Sequence, residues 1–175
     1  MNTTSLDSLT TILTGVAGEY FVAAELSRRG YVASVTLRNT RGMDVIATNA
    51  DASRSVGISV KTNKTNKKDW MVNEKAESFQ SETLFYVFVN LKGVGENPSY
   101  HVVPSKVVAT SVYESHRAWL SGRKKSGDAR KDSSMRRFTD PECKYEDRWD
   151  LLGLDFATQP EPQPTILQRG PASES

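Results

Sequence analysis

The stretch VGISVKTNKTNKKDW, residues 56–70, decides how this chain folds. Successive side chains of an extended strand point to opposite faces. Val56, Ile58 and Val60 therefore fall on one side, and Gly57, Ser59, Lys61 and Asn63 on the other. The first face is apolar enough to be buried. The second carries a lysine among small polar groups, then runs into Lys64, Lys67 and Lys68. A strand of this kind belongs in a sheet whose polar side borders something other than core.

Working outward, residues 43–48 (MDVIAT) predict a second strand with Asp44 at its mouth, and residues 31–37 predict a third. Polar turns at 38–42 and 49–54 separate them, so the three should form an antiparallel meander. Upstream, residues 5–29 predict a helix, with Leu9, Ile12, Leu13, Val16, Tyr20, Phe21 and Ala24 recurring at helical spacing. Thr14-Gly15 weakens its middle, and Gly30 behind Arg28-Arg29 gives good stop chemistry. Downstream, residues 84–91 (LFYVFVNL) read as a strand covered on both faces. A short strand at 99–103 follows, Pro104 ends it, and residues 105–120 show helical periodicity through Val107, Val108, Val112, Tyr113 and Trp119.

Residues 121–137 predict a basic loop, and 145–154 a docking segment anchored by Trp149, Leu151, Leu152 and Leu154. From Ala157 the proline-rich chain lacks core formers and predicts a disordered tail. The fold class is thus α/β, a mixed sheet with helices against it. The organisation is one domain over residues 1–156, with its core at about 15–103, a helical and basic extension at 104–156, and a tail at 157–175.

Composition narrows the chemistry. The chain has 175 residues, 37% hydrophobic and 25% charged, the balance of a soluble globular protein. No apolar run approaches the roughly 20 residues a membrane helix needs, and residues 1–16 have no basic leader or apolar centre. These features predict a cytoplasmic protein without a membrane partner. Cys143 is the only cysteine, so neither an internal disulfide nor a cysteine-rich zinc site can be built. His101 and His116 are the only histidines, thin support for metal or triad chemistry. Any catalysis must rest on carboxylates and lysine.

The net charge of +2 conceals an uneven distribution: residues 121–137 hold seven basic and two acidic groups, whereas residues 1–120 are nearly balanced. A compact basic stretch on a neutral body suits a polyanionic partner, although a solvated loop with no ligand would have the same composition. Lys64, Lys67 and Lys68, with Arg136 and Arg137, are the candidate phosphate contacts; Trp70 beside them either stacks on a base or packs beneath the loop. None forms a visible base-reading code, so binding should be salt-sensitive and weakly sequence-specific.

Three elements carry residues suited to chemistry. Glu19 lies inside the apolar pattern of the first helix. Asp44 opens the second strand. Ser59 and Lys61 share the polar face of the strand at 56–62, and its pairing with the strand at 43–48 would bring Asp44 near them. Carboxylates converging with an amine suit a hard divalent cation, Mg²⁺ or Mn²⁺, and hydrolysis of a phosphodiester.

The segments GEYFVAAELSRRGY, NTRGMDVIA and GISVKT resemble the PD-(D/E)XK nuclease superfamily, the restriction-endonuclease-like fold, over roughly residues 15–103. The resemblance implies an αβββαβ-type core and a metal-dependent endonuclease acting on DNA, with RNA not excluded and room for a homodimer. By the same resemblance Glu19 is the helix acid, Asp44 the principal metal ligand, the Val60 carbonyl a further ligand and Lys61 the catalytic lysine. Ser59 departs from the pattern, since the first position of the tripeptide should be acidic. Two readings follow. Either the site works with Asp44, Glu19, the Val60 carbonyl and extra water, aided by Asn63 or a shifted acid such as Glu74, or the chain is a nucleic-acid-binding module that has lost turnover. A protein-interaction domain whose lysines merely solubilise it is a third reading.

Overall fold

The computed structural model describes residues 9–37 and 42–155. The first residues of the predicted helix (5–8), most of the polar turn at 38–42 and the proline-rich tail lie outside the described residues. Helix α1 (Thr11–Arg28) begins at Thr10, whose hydroxyl oxygen accepts the Leu13 N–H at 3.2 Å. It runs unbroken through Gly15 and stops before Gly30, which takes a φ of 86°.

Strands β1 (Val32–Val35), β2 (Val45–Thr48) and β3 (Ser55–Asn63) form the antiparallel meander, with Val35 opposite Val45 and Val45 opposite Ile58. Strand β5 (Leu84–Asn90) lies parallel to β3, and β6 (Ser99–Pro104) antiparallel to β5, giving the sheet order β1-β2-β3-β5-β6. Helix α2 (Ser105–Ser121) follows directly.

The crossover from β3 to β5 departs from the implied core pattern. No α-helix fills it; it holds strand β4 (Asp69–Asn73) and a single 3-10 turn at Glu74–Glu77. Strand β4 pairs antiparallel with β7 (Met135–Thr139), so two stretches expected to be loops form a ribbon. The ribbon buries alternate residues, Trp70 and Val72 from one strand, Arg136 and Phe138 from the other. Trp70 is therefore core: it is buried, and its indole N–H donates to the Val89 carbonyl at 3.1 Å. It has no face to offer a base.

Each face of the sheet has its own core. On one, Val56, Ile58 and Val60 pack with Val45, Val87 and Val89 under Val22 and Leu26 of α1, joined by Trp149, Leu152 and Leu154 of the predicted docking segment. On the other, Tyr86 and Phe88 of β5 meet Trp70, Val72 and Phe138 of the ribbon and Val108 and Val112 of α2.

Helix α1 corrects one reading. It buries Thr14, Gly18, Val22 and Leu26, not the bulkier apolar set. Ile12 and Tyr20 are 62% and 64% exposed. A Cβ at Gly18 would stand 1.9 Å from Thr62 Oγ1 of β3, so the absent side chain is what lets the helix axis approach the sheet. Among the described residues no helix is long and apolar enough to cross a membrane.

Candidate functional site

The site grows out of the point where β2 stops and β3 continues. Asp44 donates its backbone N–H to Ile58 O at 2.8 Å, and its own carbonyl accepts from Thr36 N at 2.9 Å. Past Asp44 the chain turns away, and the edge of β3 from Val60 onward loses its β2 partner. The Asp44 side chain supplies the missing acceptor: its Oδ2 takes the Val60 N–H at 2.7 Å. A charge-assisted bond of this kind contributes roughly 1.5–3 kcal/mol.

The same oxygen accepts the Ser59 hydroxyl at 3.3 Å and lies 3.6 Å from Lys61 Nζ. Lys61 in turn donates to Ser59 Oγ at 2.8 Å and to the Val60 carbonyl at 3.0 Å. Ser59 thus links ammonium to carboxylate. It is buried, whereas the Asp44 and Lys61 side chains are 29% and 32% exposed. Water screens their direct ion pair, which adds no more than about 1 kcal/mol.

Beside this cluster lies a cavity of about 600 Å³. Strands β3 and β5 give it Ser59, Lys61 and Tyr86, which stands opposite Ser59 in the parallel register. Strand β4 and the 3-10 turn provide Val72, Asn73, Lys75 and Ala76. Phe79 closes one end, its ring within about van der Waals reach of Gly42, where a Cβ would meet Phe79 Cε1 at 3.0 Å. Burial pushes the Tyr86 phenol up to about 12, and the Asp44 carboxylate adds to the shift. Tyr86 therefore remains a neutral O–H donor under any physiological condition.

Glu19 is half-buried on α1, one position beyond Gly18, which abuts Thr62, the neighbour of Lys61. Glu74 is exposed at the start of the 3-10 turn. Among the described residues no group of three or more His, Cys, Asp or Glu side chains is placed to hold a metal. Beside Lys61 stand the Asp44 carboxylate and the Ser59 hydroxyl.

The five candidate phosphate contacts divide. Lys67 and Lys68 are exposed, in a loop fastened by Asn63 Nδ2, which donates to the carbonyls of Lys67 and Asp69 at 2.9 and 3.0 Å. Lys68 also contacts the Cys143 thiol, a hydrogen bond that raises the pKa of its ammonium. Lys64 donates to the Leu9 carbonyl at 2.9 Å. Arg137 is exposed and pairs with Asp69 at 3.0 Å. Arg136 is the correction. It is buried against Glu77 and the Ser133 carbonyl, so its guanidinium ties β7 to the 3-10 turn and cannot face a phosphate.

Sequence reasoning missed Tyr86, Asn73, Lys75 and Phe79. Nothing local marks them; their position follows from the parallel pairing of β3 with β5 and from the ribbon.

Neither a protein-family model nor a curated protein sequence matches the chain. Its structure is similar to that of a bacterial homing endonuclease, I-Ssp6803I, with a TM-score of 0.51 and 13% identity over 82% of this chain and 92% of that one. A Holliday junction resolvase, Hjc from the archaeal hyperthermophile Archaeoglobus fulgidus, matches with a TM-score of 0.46 and 12% identity over 81% of this chain and 98% of that one. At such identity the likeness is one of fold: this chain has the mixed α/β sheet of the restriction-endonuclease-like architecture.

Proposed function

We propose that the chain is a divalent-metal-dependent nuclease, a DNA endonuclease in which Asp44 holds the ion and Lys61 assists. One observation carries the reading: Asp44, Ser59 and Lys61 gather around the Val60 peptide at an open strand edge, beside a cavity. The endonuclease with the similar fold agrees with it.

The donors suit Mg²⁺ or Mn²⁺. The Asp44 carboxylate, the Val60 carbonyl and the Ser59 hydroxyl are all oxygen, and the Lys61 ammonium within 3.0 Å of that carbonyl marks the position as one that attracts a cation. They contribute a single negative charge, so water would fill most of the coordination shell, with Glu19 reaching it through a water molecule. When bound, the ion lowers the pKa of a coordinated water and neutralises phosphate charge. Lys61, oriented by Ser59, stabilises negative charge developing on the phosphoryl oxygens. Asp44 keeps the Val60 peptide turned outward, and Tyr86 offers a neutral hydrogen bond to the same face.

A second reading, a non-catalytic nucleic-acid-binding module, draws on one specific observation: Lys61 already engages the Val60 carbonyl, and Ser59 adds no charge to call in a metal. Incubating plasmid DNA with Mg²⁺ or Mn²⁺ decides between them. Nicking or linearisation that disappears in Asp44→Ala and Lys61→Ala supports the nuclease. Salt-sensitive binding without cutting supports the module. DNA in preference to RNA, a homodimeric state and a cytoplasmic location belong to the same proposal, and sizing chromatography tests the second of them.

A further inference from the structure

We infer that the cavity beside Lys61 seats one unpaired nucleotide, so that the preferred substrate is single-stranded or splayed DNA, not a continuous duplex. The inference rests on the reading above only in that this site faces nucleic acid, whether or not it cuts.

Contact with a phosphate backbone needs no concavity; cations on an open surface suffice. Here the cavity of about 600 Å³ lies within the range that encloses small-molecule ligands, and its two kinds of lining match the two parts of a nucleotide. Phe79 and Tyr86 line it with aromatic rings, and Val72 of β4 and Ala76 of the 3-10 turn add apolar lining. That lining suits the apolar faces of a base, which stacks on aromatic groups with little regard to its identity. The Lys61 and Lys75 ammonium groups border the same space and suit phosphates.

Asn73 adds a polar element. Its Oδ1 caps the 3-10 turn by accepting the Lys75 N–H at 3.1 Å, which leaves its amide NH₂ as a donor for a base edge. Tyr86, kept protonated by burial, is a second donor. A base inside a duplex is stacked on both faces and cannot enter such a space without being extruded, at a cost of a few kcal/mol. An unpaired base avoids most of that cost.

The test uses the full chain in EDTA, with a DNA strand carrying 2-aminopurine, alone and annealed to its complement. Fluorescence anisotropy measures affinity, and 2-aminopurine emission reports stacking. The single strand should bind at least about tenfold more tightly than the duplex, with the emission quenched. In Phe79→Ala single-strand affinity should fall about tenfold and the ratio move towards one. Because that ring packs on Gly42 and its loss can disturb folding, Lys75→Gln is the second variant; it should reduce single-strand affinity severalfold and flatten the salt dependence by about 0.7. Equal affinity for both forms, with both variants acting alike on each, would overturn the inference. Wild-type cleavage of plasmid in Mn²⁺ would then leave the nuclease reading standing. Strong single-strand preference without any cleavage would uphold the cavity's role and remove the hydrolytic one.

Discussion

On the proposed function, in which Asp44 holds a divalent ion, replacing Ser59 by glutamate should strengthen metal binding. In the present site the Asp44 carboxylate and the Lys61 ammonium, 3.6 Å apart, cancel. The hydroxyl between them carries no charge. Glutamate would leave the site with one net negative charge, close to where an ion bound to Asp44 and the Val60 carbonyl would sit. One charge against a divalent ion at about 4 Å is worth about 2 kcal/mol even at the dielectric constant of water, a fair lower bound where a third of the side-chain surface is wet. Mn²⁺ affinity should therefore rise about thirtyfold by titration calorimetry. Without metal the same substitution should lower the melting temperature, because two carboxylates would share one ammonium in a buried position. Saturating Mn²⁺ should restore it through the linkage of binding to folding. Affinity unchanged within threefold would refute the placement of Ser59 at the metal, and a stability loss indifferent to Mn²⁺ would refute the charge argument.

Gly18→Ala, which in an exposed helix would gain about 1 kcal/mol, should instead cost about 1–2 kcal/mol in urea melts, because its Cβ would meet Thr62 Oγ1, Cβ and Cγ2 at 1.9–3.0 Å; a stabilised variant would show that the helix sits further from β3. Arg136→Met should destabilise the protein by roughly 2 kcal/mol, since Glu77 is left without its partner but keeps some water, and should not alter the salt dependence of DNA binding. Lys67→Ala should do the reverse, leaving stability unchanged and lowering the salt slope by about 1. Tyr31, Tyr86 and Tyr100, three of the six tyrosines, are raised to about 12, each chiefly by burial. Their folded pKa exceeds the unfolded value near 10, so the stability they contribute is complete below pH 10 and declines as pH rises towards 12. Absorbance at 295 nm should still lack the phenolate signal of these three at pH 10 while the fold persists; its appearance there in folded protein would contradict the burial.

Where structure follows local periodicity, the chain could be read. Alternation at Val56, Ile58 and Val60 fixed which side of β3 faces core, and short polar turns on either side of β2 put Asp44 within reach of Ser59 and Lys61. Where structure follows non-local pairing, it could not. The sequence of β4 has only two inward residues, Trp70 and Val72, and β7 hides a buried arginine, Arg136, beside the outward Arg137, so neither looks like a strand until it meets the other. Tyr86 enters the site through a parallel register with β3 that its all-apolar neighbours cannot specify. Helix α1 misled by bulk: Leu13, Tyr20 and Phe21 give a stronger apolar signal than Thr14 and Gly18, yet close approach to Thr62 selected the smaller side chains.

The ribbon of β4 and β7 has a bearing on synthesis. A nascent chain that has emerged only as far as α2 possesses every strand of the main sheet, together with Asp44, Ser59 and Lys61, but β4 still has no partner and Glu77 no guanidinium to hold it. The side of the cavity that carries Asn73, Lys75 and Phe79 is completed only when residues 135–139 leave the ribosome. Non-local pairing of this sort forms late. The edge that carries Asp44, Ser59 and Lys61 is thus made early and the wall beside it last, so an incomplete polypeptide holds these three side chains without the cavity that adjoins them.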